Sequence, residues 1–416
     1  MILIDGPAEL SGEILIQGAK NSTLPLLAAA LLCKGQTVLH NCPVLTDVDT
    51  AVRILEHLGC RCRREDHTLI VDNALTGCEI PFDLMRGMRS SIVFLGAIIS
   101  RCGEAKLCFP GGCELGPRPI DLHLSALEKL GVEIEESGGC LTCQAPHGIR
   151  GAYVSLAFPS VGATENIMLA AACSEGTTVI ANAAREPEIV DLAEYLNRCG
   201  SRIYGAGESC VIIDGVKELQ GCEHHVMPDR IVSCTYMAAA AVTGGSITLR
   251  GVDTSHILPM LSPFEESGCQ VRQLGGTVSL LAPRKLHAVK HIRTMPYPGF
   301  PTDAQPLVMS MAAVGKGTSI FVENIFENRY KHASELQRLG AKIKVEGKVA
   351  VVEGVDHLTG APVQAADLRG GAALVVAGLA ARGRTEVSGT EYIHRGYENI
   401  AGTLADLGAR IKETQE

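Results

Sequence analysis

The chain of 416 residues exceeds what one ordinary core encloses, so two domains or a repeat are expected. Its net charge of −9, with no basic run and no aromatic-rich basic stretch, argues against nucleic acid as a partner, and any anionic substrate must be met by locally gathered positive charge. The apolar runs 24–33 and 372–381 fall far short of a bilayer span, and Met1-Ile2-Leu3-Ile4-Asp5 lacks the basic-then-apolar order of a signal peptide; a cytoplasmic protein without membrane insertion is expected.

In chain order, a strand-like run at 13–17 comes first, and one pattern then recurs. A glycine follows each amphipathic segment at Gly59, Gly131, Gly200, Gly268, Gly340 and Gly408, at intervals of 72, 69, 68, 72 and 68 residues. Self-similarity at a fixed interval is stronger fold evidence than local propensity, so six copies of one unit are expected. Each unit opens on an almost wholly apolar helix, at 24–32, 92–99, 167–173, 236–242, 307–314 and 372–381; such a helix is buried on every side. A glycine-containing stop and a β-rich run follow, as at 35–41, 176–182 and 317–324. Next comes a helix with one apolar stripe, for example Val48, Ala51, Val52, Leu55 and Leu58, and then strands such as 342–346 and 349–353. The unit reads helix, strand, helix, strand, strand. Because the first strand has no helix before it and the last unit stops soon after Gly408, residues 1–19 are expected to complete the sixth unit. Three units per domain give an α/β protein of two domains, 1–19 with 229–416 and 20–228, facing each other across a ligand-binding cleft.

The stretch from Gly111 to His123 sets three glycines, two prolines, Cys113 and Arg118 in one loop. Glycine and proline fix unusual loop conformations, a positive neighbour favours the reactive thiolate, and arginine takes phosphate or carboxylate through paired hydrogen bonds. The other cysteines among the 16 read as reduced, mostly buried small hydrophobes, and the lone Cys140/Cys143 spacing does not make a zinc site. Counting back 37 to 42 residues from each marker glycine places Lys20, Arg89, Ala163, Arg230, Asp303 and Arg369 at the starts of the apolar helices. Counting back 11 to 15 places Asp47, Arg118, Arg185, Thr254, Arg329 and Arg395 at the starts of the striped helices. A helix N-terminus already carries partial positive charge, so cations recurring there are unfavourable without an anion and together form an anion site.

These residues closely resemble the UDP-N-acetylglucosamine 1-carboxyvinyltransferases, the enolpyruvyl transferases that open bacterial peptidoglycan synthesis. The matching stretches are Gly18-Ala-Lys-Asn21, Arg89-Ser-Ser-Ile92, Pro110 to His123, Ser160 to Thr164, Asn182 to Asp191, Phe300 to Gln305, Phe326 to Arg329, Asp367-Leu-Arg369 and His394-Arg-Gly-Tyr397. The resemblance implies an inside-out α/β barrel of two domains with three repeats each. It implies transfer of enolpyruvate from phosphoenolpyruvate to the sugar 3-hydroxyl by addition and elimination of phosphate, with no metal or cofactor. By similarity Cys113 is the general acid that protonates the methylene carbon and forms a phosphothioketal adduct, and Asp303 is the base on the sugar hydroxyl. Lys20, Asn21, Arg118, Arg329, Arg369 and Arg395 would hold phosphoenolpyruvate, with Lys20 and Arg395 also catalytic. Arg89, Arg118, Pro119, Ile120, Asp121, Leu122, Phe158, Pro159, Ser160, Val161, Asp303 and Ile325 would contact the UDP-sugar. A monomer is expected.

The chemistry supports these residue types. Phosphoenolpyruvate carries a carboxylate and a phosphate on one small frame, so several guanidinium groups and a lysine are needed to draw it from water. An acid and a base that exchange roles between addition and elimination suit Cys113 and Asp303. Two departures stand out: Thr46 where many relatives have lysine, and Phe158-Pro159 where others have Lys-Val. Packing or hydrogen bonding is expected for His123 and His394. The alternatives are a 5-enolpyruvylshikimate-3-phosphate synthase-like enzyme and a non-catalytic UDP-sugar-binding paralogue.

Overall fold

The computed structural model describes residues 1–88, 90–109 and 120–414. The chain divides into two compact units, one of residues 1–17 with 228–416 and one, among the described residues, of 18–227. Three helices rich in alanine and leucine lie at the centre of each. In the 18–227 unit they are Lys20–Ala30, Phe94–Cys102 and Val161–Ala171; in the other they are Arg230–Thr243, Gln305–Val314 and Leu368–Ala380. Nearly every residue of these helices is buried, as expected for helices without a polar face.

Outside each trio lie three four-stranded sheets of one topology. In a representative sheet, Tyr153–Ser155 runs parallel to Thr177–Ala181, which pairs antiparallel with Cys210–Asp214, itself antiparallel to Arg202–Tyr204. The other five repeat this order of one parallel and two antiparallel pairings. Val211 and Ile213 are buried between exposed or half-buried neighbours, the alternation of a sheet with one wet face. Among the described residues no sheet closes on itself; the inside-out character is that of sheets arranged around buried helices.

The repeat contains one strand more than the pattern predicts, a parallel edge strand before the buried helix. In the six sheets it is Glu79–Ile80, Tyr153–Ser155, Glu223–His225, Ser11–Leu15, His291–Arg293 and Pro362–Gln364. Each buries a single side chain, too little alternation to mark a strand. The opening segment also divides. Ile2–Gly6 lies between Gly383–Ser388 and Ile411–Glu413 and completes the last repeat, whereas Ser11–Leu15 is the edge of the fourth sheet beside Ser246–Arg250. Likewise Glu223–His225 closes the sheet of the first repeat beside Gln36–His40. No helix among the described residues is long and apolar enough to cross a membrane.

Close approach of two central helices depends on Gly96, whose N–H donates to Asn166 Oδ1 at 2.7 Å. A methyl group on Gly96 would lie 2.3 Å from the Asn166 carbonyl oxygen. Gly96→Ala is therefore expected to destabilise the chain by about 1–3 kcal/mol through overpacking, seen as a lower midpoint of urea unfolding; an unchanged midpoint would show that the helices separate freely.

Candidate active site

In the unit containing residues 228–416, charged side chains meet where the central helices begin. Asp303 lies in the short 3₁₀ turn Thr302–Ala304 that leads into Gln305–Val314. Its Oδ1 accepts from Arg329 Nη2 and its Oδ2 from Arg369 Nε, each at 3.2 Å. Both guanidinium groups are almost wholly buried, at 1% and 2% exposure, while the carboxylate is 29% exposed. The acid is thus the member of the cluster open to solvent. Arg329 is further oriented by the Thr302 carbonyl, which accepts from Nη2 at 2.9 Å and from Nε at 3.2 Å, and by Asp367 at 3.7 Å. Asp367 Oδ1 in turn caps the Leu368–Ala380 helix by accepting from the Arg369 and Gly370 N–H groups. Arg369 Nη1 donates to Tyr397 Oη at 3.2 Å, and Tyr397 shares a 2.7 Å hydrogen bond with Thr235. Arg369 Nη2 is buried without a hydrogen-bond partner among the described residues.

Arg395 is partly buried in the segment between Thr390–Ile393 and Ile400–Asp406, two residues before Tyr397. Ile325 is held by its N–H, which donates to Glu323 Oε1 at 2.8 Å, and Glu323 Oε2 accepts from Thr302 Oγ1 at 3.1 Å. Buried Glu323 therefore fixes both Ile325 and the turn bearing Asp303. Sequence reading missed it, because an acidic residue at a strand end has no distinctive pattern. His394 pairs with Glu413 at 2.8 Å.

The 18–227 unit places Lys20 as the first residue of its central helix, with Nζ 3.3 Å from buried Asp47 Oδ2. Asn21 follows, partly buried, and Ser22 is anchored through its hydroxyl on Asp191, which also meets His224 Nε2 at 2.9 Å. This buried network joins the helix of Lys20 to the Pro187–Arg198 helix and the strand Glu223–His225. Ile120 is buried just ahead of the Asp121–Lys129 helix, whose first residue Asp121 is exposed and whose Leu122 is partly buried. Phe158 is exposed, Pro159 and Val161 are partly buried, and Ser160 Oγ caps the Val161–Ala171 helix by accepting from the Ala163 N–H at 3.3 Å. His123 is buried, with Nδ1 2.7 Å from Asn166 Nδ2. Arg89, Cys113, Arg118 and Pro119 lie outside the described residues.

The expected recurrence of cations takes a modified form. Arg185 and Arg329 precede their striped helices by two residues and Arg395 precedes its helix by five, so these cations occupy the approach to the helix instead of its first turn. The charges at Lys20, Arg329 and Arg369 are met by Asp47 and Asp303, protein carboxylates distant in sequence, which offset the unfavourable position beside a helix start. Asp303 does not occupy a cap position, since Pro301 precedes the turn Thr302–Ala304 and Ala304 precedes the helix Gln305–Val314.

Comparison with known proteins places this geometry in context. The family model described as EPSP synthase (3-phosphoshikimate 1-carboxyvinyltransferase) matches residues 4–404. A protein of Caldanaerobacter subterraneus named UDP-N-acetylglucosamine 1-carboxyvinyltransferase 2 is 51% identical over 98% of both chains. One of Trichlorobacter lovleyi named UDP-N-acetylglucosamine 1-carboxyvinyltransferase is 44% identical over 100% of this chain and 99% of its own. Among solved structures, the enolpyruvyl transferase NikO from Streptomyces tendae superposes with a TM-score of 0.90 at 25% identity, covering 99% of this chain and 98% of that one. An EPSP synthase from Acinetobacter baumannii gives 0.76 at 17% identity over all of both chains and so shares the fold.

Buried His332 offers a handle on the arginine cluster. Its Nδ1 lies 3.1 Å from the Arg329 carbonyl oxygen, and burial, opposed by Asp367 and reinforced by Arg329, lowers its pKa to about 4. The unfolded chain then binds the proton more readily, so stability is lost as pH falls from about 6.5 towards 4. Between pH 7.5 and pH 5 this amounts to about 2 kcal/mol. His332→Gln is expected to flatten that part of the profile in urea titrations; an unaltered profile would exclude His332 as its source.

Proposed function

We propose a function on the premise that the chain belongs to the EPSP synthase family and, within it, to the UDP-N-acetylglucosamine 1-carboxyvinyltransferases: it transfers enolpyruvate from phosphoenolpyruvate to the 3-hydroxyl of UDP-N-acetylglucosamine and releases phosphate. The relatives are named for the UDP-sugar, which favours this substrate over shikimate 3-phosphate. Cys113 supports the same choice, because it stands in the loop 110–123 by which the sequence resembles the UDP-sugar enzymes, and it can supply the proton that the methylene carbon needs.

In this reading Asp303 withdraws the proton of the sugar hydroxyl as that oxygen attacks C2 of phosphoenolpyruvate, while Cys113 delivers a proton to C3. A tetrahedral intermediate carrying phosphate results. Loss of a C3 proton then expels phosphate and restores the double bond, with the acid and base reversed. Lys20, Asn21, Arg118, Arg329, Arg369 and Arg395 hold the phosphate and carboxylate, and their fixed charge stabilises the addition step. Arg89, the segments 118–122 and 158–161, and Ile325 hold the UDP-sugar. The observation that carries the proposal is the Asp303 cluster: an accessible carboxylate on two buried guanidinium groups, one with a donor that has no partner among the described residues. Such a group can accept a proton beside a site built for anions. The reading assigns the reaction to a monomer in the cytoplasm, at the start of peptidoglycan synthesis.

Phosphate release from phosphoenolpyruvate is expected with UDP-N-acetylglucosamine and not with shikimate 3-phosphate; the opposite dependence would overturn the assignment. Cys113→Ser should lower turnover by at least about 100-fold, the lower end for a lost general acid, while UDP-sugar binding in a calorimeter persists. Full activity in that variant would remove Cys113 from the mechanism. The epoxide fosfomycin is expected to alkylate Cys113, read as a mass adduct on its peptide; adducts confined to other cysteines would contradict its reactivity.

A further inference from the structure

Two thiols outside that machinery face each other across a sheet. Cys108 ends the strand Glu104–Cys108, Cys140 begins the strand Cys140–Gln144, and the two residues are direct partners in the antiparallel ladder. Their Sγ atoms lie 2.7 Å apart. The Phe109 N–H donates to the Gly139 carbonyl at 2.9 Å just outside the pair, which makes Cys108 and Cys140 a non-hydrogen-bonded pair. Such pairs hold their Cα atoms about 4.5 Å apart, inside the range of about 4.4–6.8 Å that a disulfide requires. Both residues are partly exposed, so a small oxidant can reach them. The neighbouring thiols of Cys199 and Cys222 are 3.3 Å apart, but Cys199 is buried and the two share no ladder.

We propose that Cys108 and Cys140 form a reversible oxidation site, converted by hydrogen peroxide or a low-molecular-weight disulfide into a cross-strand disulfide within the chain. With peroxide, one of the two sulfurs attacks the O–O bond to give a sulfenic acid and one water; the other then displaces the hydroxyl, which leaves as a second water. Two thiols and one peroxide become one disulfide and two waters. With a small disulfide as oxidant, two small thiols leave instead. Closing the bond ties the strand that leads into residues 110–119 to its antiparallel neighbour in the sheet, and cytosolic thiols reopen it.

The test uses the full, reduced chain. After limited hydrogen peroxide, free thiols are blocked with iodoacetamide and the unreduced digest is weighed. The expected product is a linked pair of peptides containing Cys108 and Cys140, two hydrogens lighter than their sum and separated by dithiothreitol. It should be wholly lost in Cys108→Ser and in Cys140→Ser, yet retained in Cys199→Ser. Separate alkylation of Cys108 and Cys140 after peroxide has consumed other thiols, or their cross-linking only to other cysteines, would overturn the proposal.

Discussion

Two buried guanidinium groups need an anion, and Asp303 supplies it. Removing an arginine from water costs several kcal/mol unless charge and hydrogen bonds replace what is lost. Arg329 and Arg369 recover that through one carboxylate, the Thr302 carbonyl, Asp367 and Tyr397. The rest of the unit is arranged so that these groups can meet: three apolar helices pack together, and their beginnings bring together segments far apart in sequence. Lys20 follows the same logic in its own unit, where Asp47 balances it and the Ser22, Asp191 and His224 network fixes the helix beneath.

This arrangement joins stability to chemistry. A helix start already bears partial positive charge, so an added arginine there strains the fold. Asp229 and Asp367 relieve part of that strain by accepting N–H groups at the first turns of their helices. Asp303 is the exception, spending both oxygens on side chains and staying open to solvent, which suits a group proposed to take a proton.

The repeat was legible in the sequence because its markers have a backbone reason to be glycine. All six lie just past the end of a helix with φ between 92° and 108°, a region other residues avoid. The buried helices were legible through their lack of any polar face. The edge strands were not, since a strand that buries one side chain leaves no period to detect. Among the site residues, the cations and Asp303 could be read from their place in the repeat and from family resemblance. Their pairing could not: Arg329 lies 26 and Arg369 66 residues from Asp303, and only the packed helices bring them together. Glu323 was hidden for a similar reason, as its work is done for Thr302 and Ile325.

The position of Ile2–Gly6 between Gly383–Ser388 and Ile411–Glu413 governs the order of events during synthesis. Residues 2–6 leave the ribosome with no sheet to join until residues 383–413 have followed. Residues 18–227 contain every strand of their own three sheets, so they can mature while translation continues. The backbone groups of Ile2–Gly6, unpaired until then, must wait for Gly383–Ser388 and Ile411–Glu413 to arrive.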